Sequence, residues 1–312
     1  MSKGVIKTIV IILSLAANFF FIFLFITKNN LSKDKQPDNF PLLSKRIFVT
    51  NQNDIIINFI PLRNAIREYA DSLNGKLGVY FEYLPSGVSI GAYDRDEVRL
   101  ASLSKVPLVM SIYKKVERGK LAEDKVLVIK EGHIDQRFGN LWKRGEGTPL
   151  TVNELIEYVL TESDNTAYNV LYDELSREEI AEVYENLDIS LGEDGGSPII
   201  SPKNYSSIFR SLYLSSFLSE EKSNLILQIL TQTKFSDKMV AGVPNSVKVS
   251  HKIGVFERQN EESLFTDCGI IFATDRPYIL CAFVKGNEAD AREYISHVSR
   301  MIYQYVVRVK GD

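Results

Sequence analysis

The sequence has few of the side chains that bind transition metals. It contains two cysteines and three histidines in 312 residues. They lie far apart along the chain, at Cys268, Cys281, His133, His251 and His297, and no spacing between them matches a zinc site. The sequence therefore predicts no metal centre, and no motif in it indicates another cofactor.

The sequence also lacks any concentration of positive charge. Its 37 lysines and arginines stand against 40 aspartates and glutamates, a formal net charge of −3, and they form no basic block. Nucleic acids bind to concentrated basic surfaces, so we expect no nucleic-acid partner. With 45% apolar and 25% charged residues, the composition is typical of a globular protein with a sizeable core.

One long apolar run is present, near the N-terminus. Residues 8–27, TIVIILSLAANFFFIFLFIT, carry no charge and are long enough to cross a bilayer as a helix. A secretory signal peptide has a shorter apolar core followed by a small-x-small cleavage site. This run ends in Phe-Ile-Thr-Lys and has no cysteine near it. The sequence therefore predicts an uncleaved anchor rather than a signal peptide or a lipoprotein.

The lysines beside this run predict its orientation. Lys3 and Lys7 precede it, and positive residues before an anchor favour a cytoplasmic N-terminus. The lysines that follow it, at 28, 33 and 35, reduce the difference in positive charge between the two sides of the run. We expect a cytoplasmic stub and transmembrane anchor over residues 1–30, a linker over 31–57, and a domain over 58–312. That domain is expected outside the cell membrane, at the bacterial cell surface or in the periplasm.

Strand-like segments lie at both ends of the predicted domain, with helical segments between them. KLGVYFEYL and VSIGAY surround a turn signal at 85–87, and three more alternating runs follow residue 246. Capping boxes at Thr151 and Ser176 each begin a helix in the middle. The predicted fold is therefore α+β, an antiparallel β-sheet built from both chain ends with flanking helices and an inserted all-helical subdomain.

Cys268 and Cys281 flank a hairpin turn predicted at 274–277. In an oxidising compartment the two could form a disulfide. Two small buried strand residues are the favoured interpretation, and the sequence leaves both alternatives open.

A serine and a lysine begin a predicted helix in RLASLSKVPLV. Ser102 and Lys105 lie one turn apart on the same helix face. A serine hydroxyl becomes an effective nucleophile when a neighbouring base takes its proton. Burial and nearby positive charge lower the pKa of a lysine enough for its amine to be that base. Taken alone, the pair is more often a helix cap with a solvated lysine.

A second stretch, Ser163-Asp164-Asn165, follows a predicted helix. Its polar side chains suit a cleft between subdomains, where Ser163 would relay a proton and Asn165 would hold a substrate amide. As structure alone, it is an ordinary cluster at a helix boundary.

A third stretch, Lys252-Ile253-Gly254, lies in an alternating strand. Lys252 would place positive charge beside the serine and bind a substrate carboxylate. Gly254 allows the strand to approach a ligand closely, and the amide of Val255 is a candidate oxyanion donor. Each of the three stretches is a weak signal, but together and in this order they indicate a serine acyl-transfer enzyme.

The chain resembles the penicillin-recognising serine hydrolases, and class A β-lactamases most closely, over about residues 60–308. GVYFEYLPSGVSIGAYDRDEVRLASLSKVPL resembles that family's first hairpin and nucleophile helix, and TDCGIIFATDRPYILCAFV its last hairpin. The resemblance implies the fold shared by serine β-lactamases and transpeptidases. It also implies an acylated nucleophile at Ser102, a base at Lys105, a proton relay at Ser163 and a substrate contact at Asn165. The implied substrate is a β-lactam or a peptidoglycan peptide.

The chain departs from that family at two places. The family's omega loop carries a Glu-x-x-Leu-Asn stretch whose glutamate activates the deacylating water, and no such stretch occurs between Asn165 and Ser201. Glu193 and Asp194 are the acids in the corresponding loop, and we expect them to be solvated turn residues. The third stretch has Ile253 where a hydroxyl side chain is usual.

These departures predict slow turnover. Fast hydrolysis of an acyl-enzyme needs a positioned water with its own base. Without one, a bound β-lactam stays attached, as in a penicillin-binding protein or D,D-peptidase. The sequence does not separate slow β-lactamase action from peptidase action. The alternative is a non-catalytic domain that binds cell-wall peptides or a protein partner.

Overall fold

The fold is described here from a computed structural model of the protein. It covers residues 40–44, 57–74, 76–194 and 197–309. The chain divides into two units after Pro41, and all the helices and strands given below belong to the unit that begins at Leu42. The predicted anchor and most of the predicted linker lie outside the described residues. Within the described ranges, no helix is long and apolar enough to cross a membrane.

The described residues contain ten strands and eight α-helices. The strands are β1 (Leu77–Tyr83), β2 (Val88–Ala92), β3 (Val98–Arg99), β4 (Val126–Val128), β5 (Pro149–Thr151), β6 (Gly192–Asp194), β7 (Ser197–Ile200), β8 (Lys248–Phe256), β9 (Leu264–Phe272) and β10 (Tyr278–Lys285). The helices are α1 (Ile60–Ser72), α2 (Lys105–Glu117), α3 (Val152–Thr161), α4 (Asn165–Tyr172), α5 (Arg177–Asn186), α6 (Pro202–Leu214), α7 (Glu220–Leu230) and α8 (Glu288–Arg308).

The main sheet joins the two ends of the domain. Its strand order is β2-β1-β10-β9-β8, and every neighbouring pair is antiparallel. The turns indicated by the sequence at 85–87 and 274–277 connect β1 to β2 and β9 to β10. The predicted α+β fold with an antiparallel sheet built from both chain ends is confirmed.

Helices α1 and α8 pack on the same core as one face of this sheet. Their buried apolar residues recur three or four positions apart, which gives each helix one apolar stripe. Those residues are Leu62, Ile66 and Ala70 in α1, and Ala291, Ile295, Val298, Ile302 and Val306 in α8. Alternate β1 residues from Leu77 to Tyr83 belong to this core. Burying one large apolar side chain contributes about 1.5–3 kcal/mol.

The other face of β1 is more polar and contacts the helical insert. Tyr80 and Glu82 alternate with the core residues along the strand, so they point away from α1 and α8. The Arg210 guanidinium of α6 donates to Glu82 Oε1 at 2.7 Å, and the Tyr80 hydroxyl donates to Glu82 Oε2 at 2.9 Å. This partly buried ion pair ties the insert to the sheet.

The insert contains α2 to α7 but is not entirely helical. Capping boxes are present at Thr151 and Ser176, as predicted. However, β3, β7 and β6 form a three-stranded sheet, and β4 pairs with β5. The prediction of an all-helical subdomain is wrong because these connecting segments satisfy their backbone hydrogen bonds by pairing. Glu193 is exposed, as expected, but lies on β6 rather than in a turn.

Cys268 of β9 and Cys281 of β10 lie directly opposite each other. Their Cα atoms are 4.0 Å apart, and their side chains are joined as a disulfide. Both are also buried strand residues. The structure thus contains the disulfide, which was one of the two alternatives that the sequence left open.

Strand β8 is an edge strand of the main sheet and packs against the insert. The Ser250 hydroxyl donates to the Leu227 carbonyl of α7 at 2.7 Å. A Cβ atom on Gly254 would lie 3.4 Å from the Leu103 side chain. The third sequence stretch therefore lies beside the short 3-10 turn, Ala101–Ser104, that carries Ser102.

Candidate active site

The Lys105 amine joins the first two sequence stretches. Its Nζ donates to Ser102 Oγ at 3.1 Å, to the Ser163 carbonyl at 2.6 Å and to Asn165 Oδ1 at 2.7 Å. It also lies 3.2 Å from Ser163 Oγ. Residues 60 positions apart in the sequence therefore meet at one nitrogen atom.

The Lys252 amine adds the third stretch to the same site. Its Nζ donates to Ser163 Oγ at 2.6 Å and to the Ile253 carbonyl at 3.1 Å. The Ser163 hydroxyl thus lies between the amines of Lys105 and Lys252. The hydrogen-bonded group is called the Ser102 cluster below, and its members are Ser102, Lys105, Ser163, Asn165 and Lys252.

The turn that carries Ser102 is held by its neighbours. Ala101 has a φ of +44°, a conformation that costs energy for a residue with a side chain and persists where the surroundings impose it. The Ser104 hydroxyl donates to the Ala101 carbonyl at 2.9 Å, and the Tyr205 hydroxyl donates to the Leu103 carbonyl at 2.8 Å. Ser102 is left partly exposed at the start of α2.

Asp164 holds the second stretch in place. Its Oδ1 accepts from the Ala167 amide at 2.9 Å and so caps α4, while its Oδ2 accepts from the Leu141 amide at 2.8 Å. Ser163, just before it, has a φ of +55°. The two bonds to fixed amides constrain the backbone from which Ser163 and Asn165 project.

Burial sets the electrostatics of Lys105. The side chain is 2% exposed, and burial lowers its pKa to about 7, against the opposing charges of Asp164 and Asp135. A large fraction of the amine is therefore neutral near pH 7. The lysine that the sequence predicts as a base lies within hydrogen-bond distance of the Ser102 hydroxyl.

Lys252 is buried still more completely. Burial first, and then the charge of Lys105, lower its pKa well below the usual lysine value, while Asp267 opposes them. Asp267 lies on β9, and its Oδ1 is 2.7 Å from Nδ1 of the buried His251. The two lysines therefore share one poorly solvated site.

Comparisons with known proteins show the family of this chain. A sequence model described as the β-lactamase enzyme family matches residues 61–306. The chain belongs to this family. The predicted family is confirmed, and the protein is a serine hydrolase that works through an acyl-enzyme.

Individual relatives are distant but similar over most of their length. A β-lactamase of Phocaeicola vulgatus is 22% identical over 71% of this chain and 80% of its own length. The structure of PBP-A has a TM-score of 0.72 and 23% identity, covering 80% of this chain and 97% of PBP-A. A β-lactamase structure from Chitinophaga pinensis has a TM-score of 0.72 and 21% identity, covering 78% of this chain and 98% of its own. These structural likenesses confirm the fold.

In this β-lactamase-family protein, β8 carries the remaining predicted site residues. A Cβ atom on Gly254 would lie 2.4 Å from Thr266 Oγ1, so the position favours glycine. Val255 follows it on the terminal strand of the sheet and is half-buried. Ile253 is 3% exposed and contributes its carbonyl oxygen to Lys252. Its apolar side chain offers no hydrogen bond to a ligand.

Sequence reasoning missed Asp135 and its partner Arg137. Hydrogen bonds from Arg137, at 3.1 and 3.0 Å from Nε, and a bond with the Asn165 side chain lower the pKa of Asp135 to about 2. Asn165 is thus held between the Lys105 amine and the Asp135 carboxylate, which fixes its amide. No local motif marks Asp135, because its partner Asn165 is 30 positions away.

Three aromatic rings around the amines were also missed. The Lys105 Nζ lies 5.9 Å from the centre of the Phe138 ring and 5.8 Å from that of Tyr168. The Lys252 Nζ lies 6.0 Å from the Phe235 ring, which packs 5.7 Å from Phe138. These rings line the poorly solvated surroundings of the two amines.

Gly139, next to Phe138, was missed as well. Its φ is +87°, and a Cβ atom there would lie 2.0 Å from Asp164 Oδ2. The position accepts only a residue without a side chain, because the carboxylate that caps α4 passes directly beside it.

The carboxylates that act on Lys105 are already engaged. Asp164 and Asp135 are the two acids whose charge raises its pKa. Both oxygens of Asp164 accept backbone amides, and both oxygens of Asp135 accept from Arg137. Both carboxylates are therefore held by other donors.

Proposed function

We propose that this protein is a membrane-anchored, extracytoplasmic serine hydrolase that acylates Ser102 with a β-lactam or an acyl-D-alanine-type amide and then deacylates slowly. The observation that carries the proposal is the position of the buried Lys105 amine, 3.1 Å from Ser102 Oγ. The anchor rests on the uncharged run at residues 8–27.

Proton transfer begins at Lys105. In its neutral form the amine keeps two hydrogens, and its two shortest bonds lead to the Ser163 carbonyl and Asn165 Oδ1, at 2.6 and 2.7 Å. The nitrogen lone pair then faces the hydroxyls and accepts the proton of Ser102. Ser102 Oγ attacks the carbonyl carbon as this proton leaves.

The leaving nitrogen then needs a proton. The Ser163 hydroxyl lies within hydrogen-bond distance of both lysine amines. It gives its proton to the leaving nitrogen and regains one from the ammonium of Lys105. The carbonyl–nitrogen bond breaks, the acyl group stays on Ser102 Oγ, and Lys105 returns to its neutral form.

The negative charge of the tetrahedral intermediate needs donors. Amides of Ser102 and Val255 are the proposed pair, since β8 packs beside the turn that carries Ser102. Lys252 and Asn165 would bind the substrate carboxylate and amide. Because Ile253 has no hydroxyl, the Lys252 amine would be the remaining side-chain hydrogen-bond donor of this stretch for the carboxylate.

Slow deacylation follows from the engaged carboxylates. Hydrolysis of the ester needs a base for the attacking water, and Asp164 and Asp135 are both held by other donors. Glu193 is exposed on β6. The structure of a PBP-A point mutant, with a TM-score of 0.71, is an acyl-enzyme complex with penicillin G. We propose the same kind of adduct on Ser102.

Intact mass spectrometry with a fluorescent penicillin tests the proposal. The full chain is expected to gain one penicillin mass, retained over hours, and Ser102→Ala is expected to gain none. Ser111→Ala is the matched control, since Ser111 lies on α2 and its hydroxyl donates to the Pro107 carbonyl of its own helix. Absence of an adduct on the folded wild-type chain contradicts acylation and favours the non-catalytic alternative. Rapid loss of the adduct contradicts slow deacylation.

A further inference from the structure

A polar cavity lies apart from the Ser102 cluster and shares no residue with it. Its volume is about 230 Å³. Helix α1 contributes Arg63 and Arg67, the turn after β2 contributes Asp94 and Arg95, and the first turn of α6 contributes Lys203. It is called the Arg63 cavity below.

The frame of this cavity is fixed by hydrogen bonds between its elements. Arg67 Nε donates to the Gly91 carbonyl at 3.3 Å, which ties α1 to β2. The Lys203 amide donates to the Asp94 carbonyl at 3.0 Å, which ties α6 to the turn. The Asp94 side chain packs against Gly91, where a Cβ atom would lie 2.6 Å from its carboxylate carbon. These contacts hold the elements that carry the cationic groups around one space.

The charges around the cavity are unbalanced. Four cationic side chains, Arg63, Arg67, Arg95 and Lys203, line it together with one carboxylate, Asp94. Over the described ranges, none of the four takes part in an ion pair, whereas Arg118, Lys125 and Arg292 elsewhere on the surface do. In a chain with a net charge of −3, this concentration of unpaired positive charge is a local exception.

One of these cations has an unsatisfied donor. Nε of Arg63 is buried and has no hydrogen-bond partner among the described residues. A buried donor without a partner costs about 1–3 kcal/mol, and neighbouring like charges add repulsion. An anion bound in the cavity would offset the repulsion between these charges. The guanidinium group presents paired N–H donors that match the oxygens of phosphate.

We propose that the Arg63 cavity binds a phosphate-bearing anion, a function separate from acylation at Ser102. The cavity is smaller than the roughly 300–1,000 Å³ pockets of drug-sized ligands, so it suits one phosphate group and a small substituent. The ligand class is a phosphate ester. It can come from a soluble ester or from the headgroup of an anionic phospholipid.

Binding measurements on the full chain test this proposal. Isothermal titration with inorganic phosphate and with glycerol 3-phosphate, at constant ionic strength, measures the soluble source. Co-sedimentation with phosphatidylcholine vesicles, with and without phosphatidylglycerol, measures the headgroup source. The Arg63→Gln/Arg67→Gln variant is expected to bind the preferred probe at least about tenfold more weakly.

The matched control is Arg300→Gln/Arg308→Gln. It removes the same charge from α8, outside the Arg63 cavity, and is expected to bind like the wild type. Binding of a soluble ester identifies the soluble source, and binding only to vesicles with phosphatidylglycerol identifies the headgroup source. No binding of any probe, or an equal loss in the control variant, overturns the proposal.

A second variant tests the same proposal if the Arg63→Gln/Arg67→Gln variant does not fold. Circular dichroism and thermal unfolding check the fold of each variant. Arg95 is exposed in a turn and Lys203 is half-buried at the start of α6, so Arg95→Gln/Lys203→Gln leaves α1 and its packing intact. The same tenfold loss is expected from it, and wild-type affinity in this folded variant overturns the proposal.

Discussion

Lys105 and Lys252 are almost completely buried, at 2% and 1% exposed, whereas the four cations of the Arg63 cavity are half-buried or exposed. The two buried lysines bond neutral oxygens of serine, asparagine and backbone groups. Three of the four cavity cations are arginines. Burial among neutral acceptors lowers the pKa of an amine, but an arginine keeps its charge at any accessible pH.

The difference separates two uses of positive charge. A lysine that loses its proton near neutral pH can serve as a base, which is the role proposed for Lys105. A guanidinium cannot, but it binds an anion at every physiological pH. The residue type and the degree of burial therefore suit the two sites to the two proposed functions, proton transfer and anion binding.

The largest expected effect comes from placing a permanent charge in the Ser102 cluster. Lys105→Arg should lower the rate of Ser102 acylation by about 10²–10⁴-fold, because the base is removed while the charge remains. The rate of adduct formation with fluorescent penicillin measures this. Lys114→Arg, on the same helix, is the control and should acylate at the wild-type rate. Acylation by folded Lys105→Arg at a near wild-type rate would show that Lys105 is not the base.

The pH dependence of acylation gives the next largest effect. In the proposed mechanism the neutral amine of Lys105 is the active form. Its pKa is lowered to about 7, so the rate should rise about tenfold per pH unit below that value and level off above it. Stopped-flow measurement with a penicillin that keeps one charge state over the range provides the profile. A phosphodiester should bind the Arg63 cavity equally across the same range. A flat acylation profile from about pH 5 to pH 8 would contradict the assignment of the base.

Gly139→Ala tests how rigidly the Ser102 cluster is held. The new Cβ would meet Asp164 Oδ2 at 2.0 Å, and the φ of +87° is strained for alanine. Gly147→Ala is the control, since its φ is +81° but nothing lies within 4 Å of the new atom. The control should lose about 1 kcal/mol of unfolding free energy, and Gly139→Ala about 2 kcal/mol more. Urea unfolding measures both, and equal losses would mean that Asp164 moves freely.

The sequence predicted the parts of this molecule that have a local signature. Strand alternation, hairpin turns and capping boxes predicted the main sheet and most helix starts. The three stretches around Ser102, Ser163 and Lys252 predicted which residues meet. The chemistry proposed for these stretches requires either a fixed spacing of two residues along one helix or strand, or a particular residue type at one position. Both features can be read from a single sequence.

The remaining features depend on contacts between distant segments. Gly139 is constrained by Asp164, and Asp135 bonds Asn165, but neither pair has a spacing that a sequence would mark. Strands β3 to β7 are two to four residues long, too short for an alternating pattern to be recognised. Arg63 and Arg67 are, in sequence, ordinary charges on a helix face, and only the approach of β2 and α6 turns them into a cavity.

The smallest expected effect concerns recognition of a substrate carboxylate at the Ser102 cluster. This cluster has fewer hydrogen-bond donors for an anion than the Arg63 cavity has. Ile253 follows Lys252 on β8 and offers no side-chain hydrogen bond. Ile253→Thr keeps the β-branched shape that suits a strand and adds a hydroxyl for a substrate carboxylate. One such bond contributes about 0.5–1.5 kcal/mol, so acylation by a carboxylate-bearing penicillin should rise about two- to tenfold. Ile253→Val, which changes volume without adding a donor, should show no rise. Equal acylation rates for the two variants would mean that Lys252 alone is sufficient to bind the carboxylate, and that the apolar side chain at position 253 does not weaken substrate recognition.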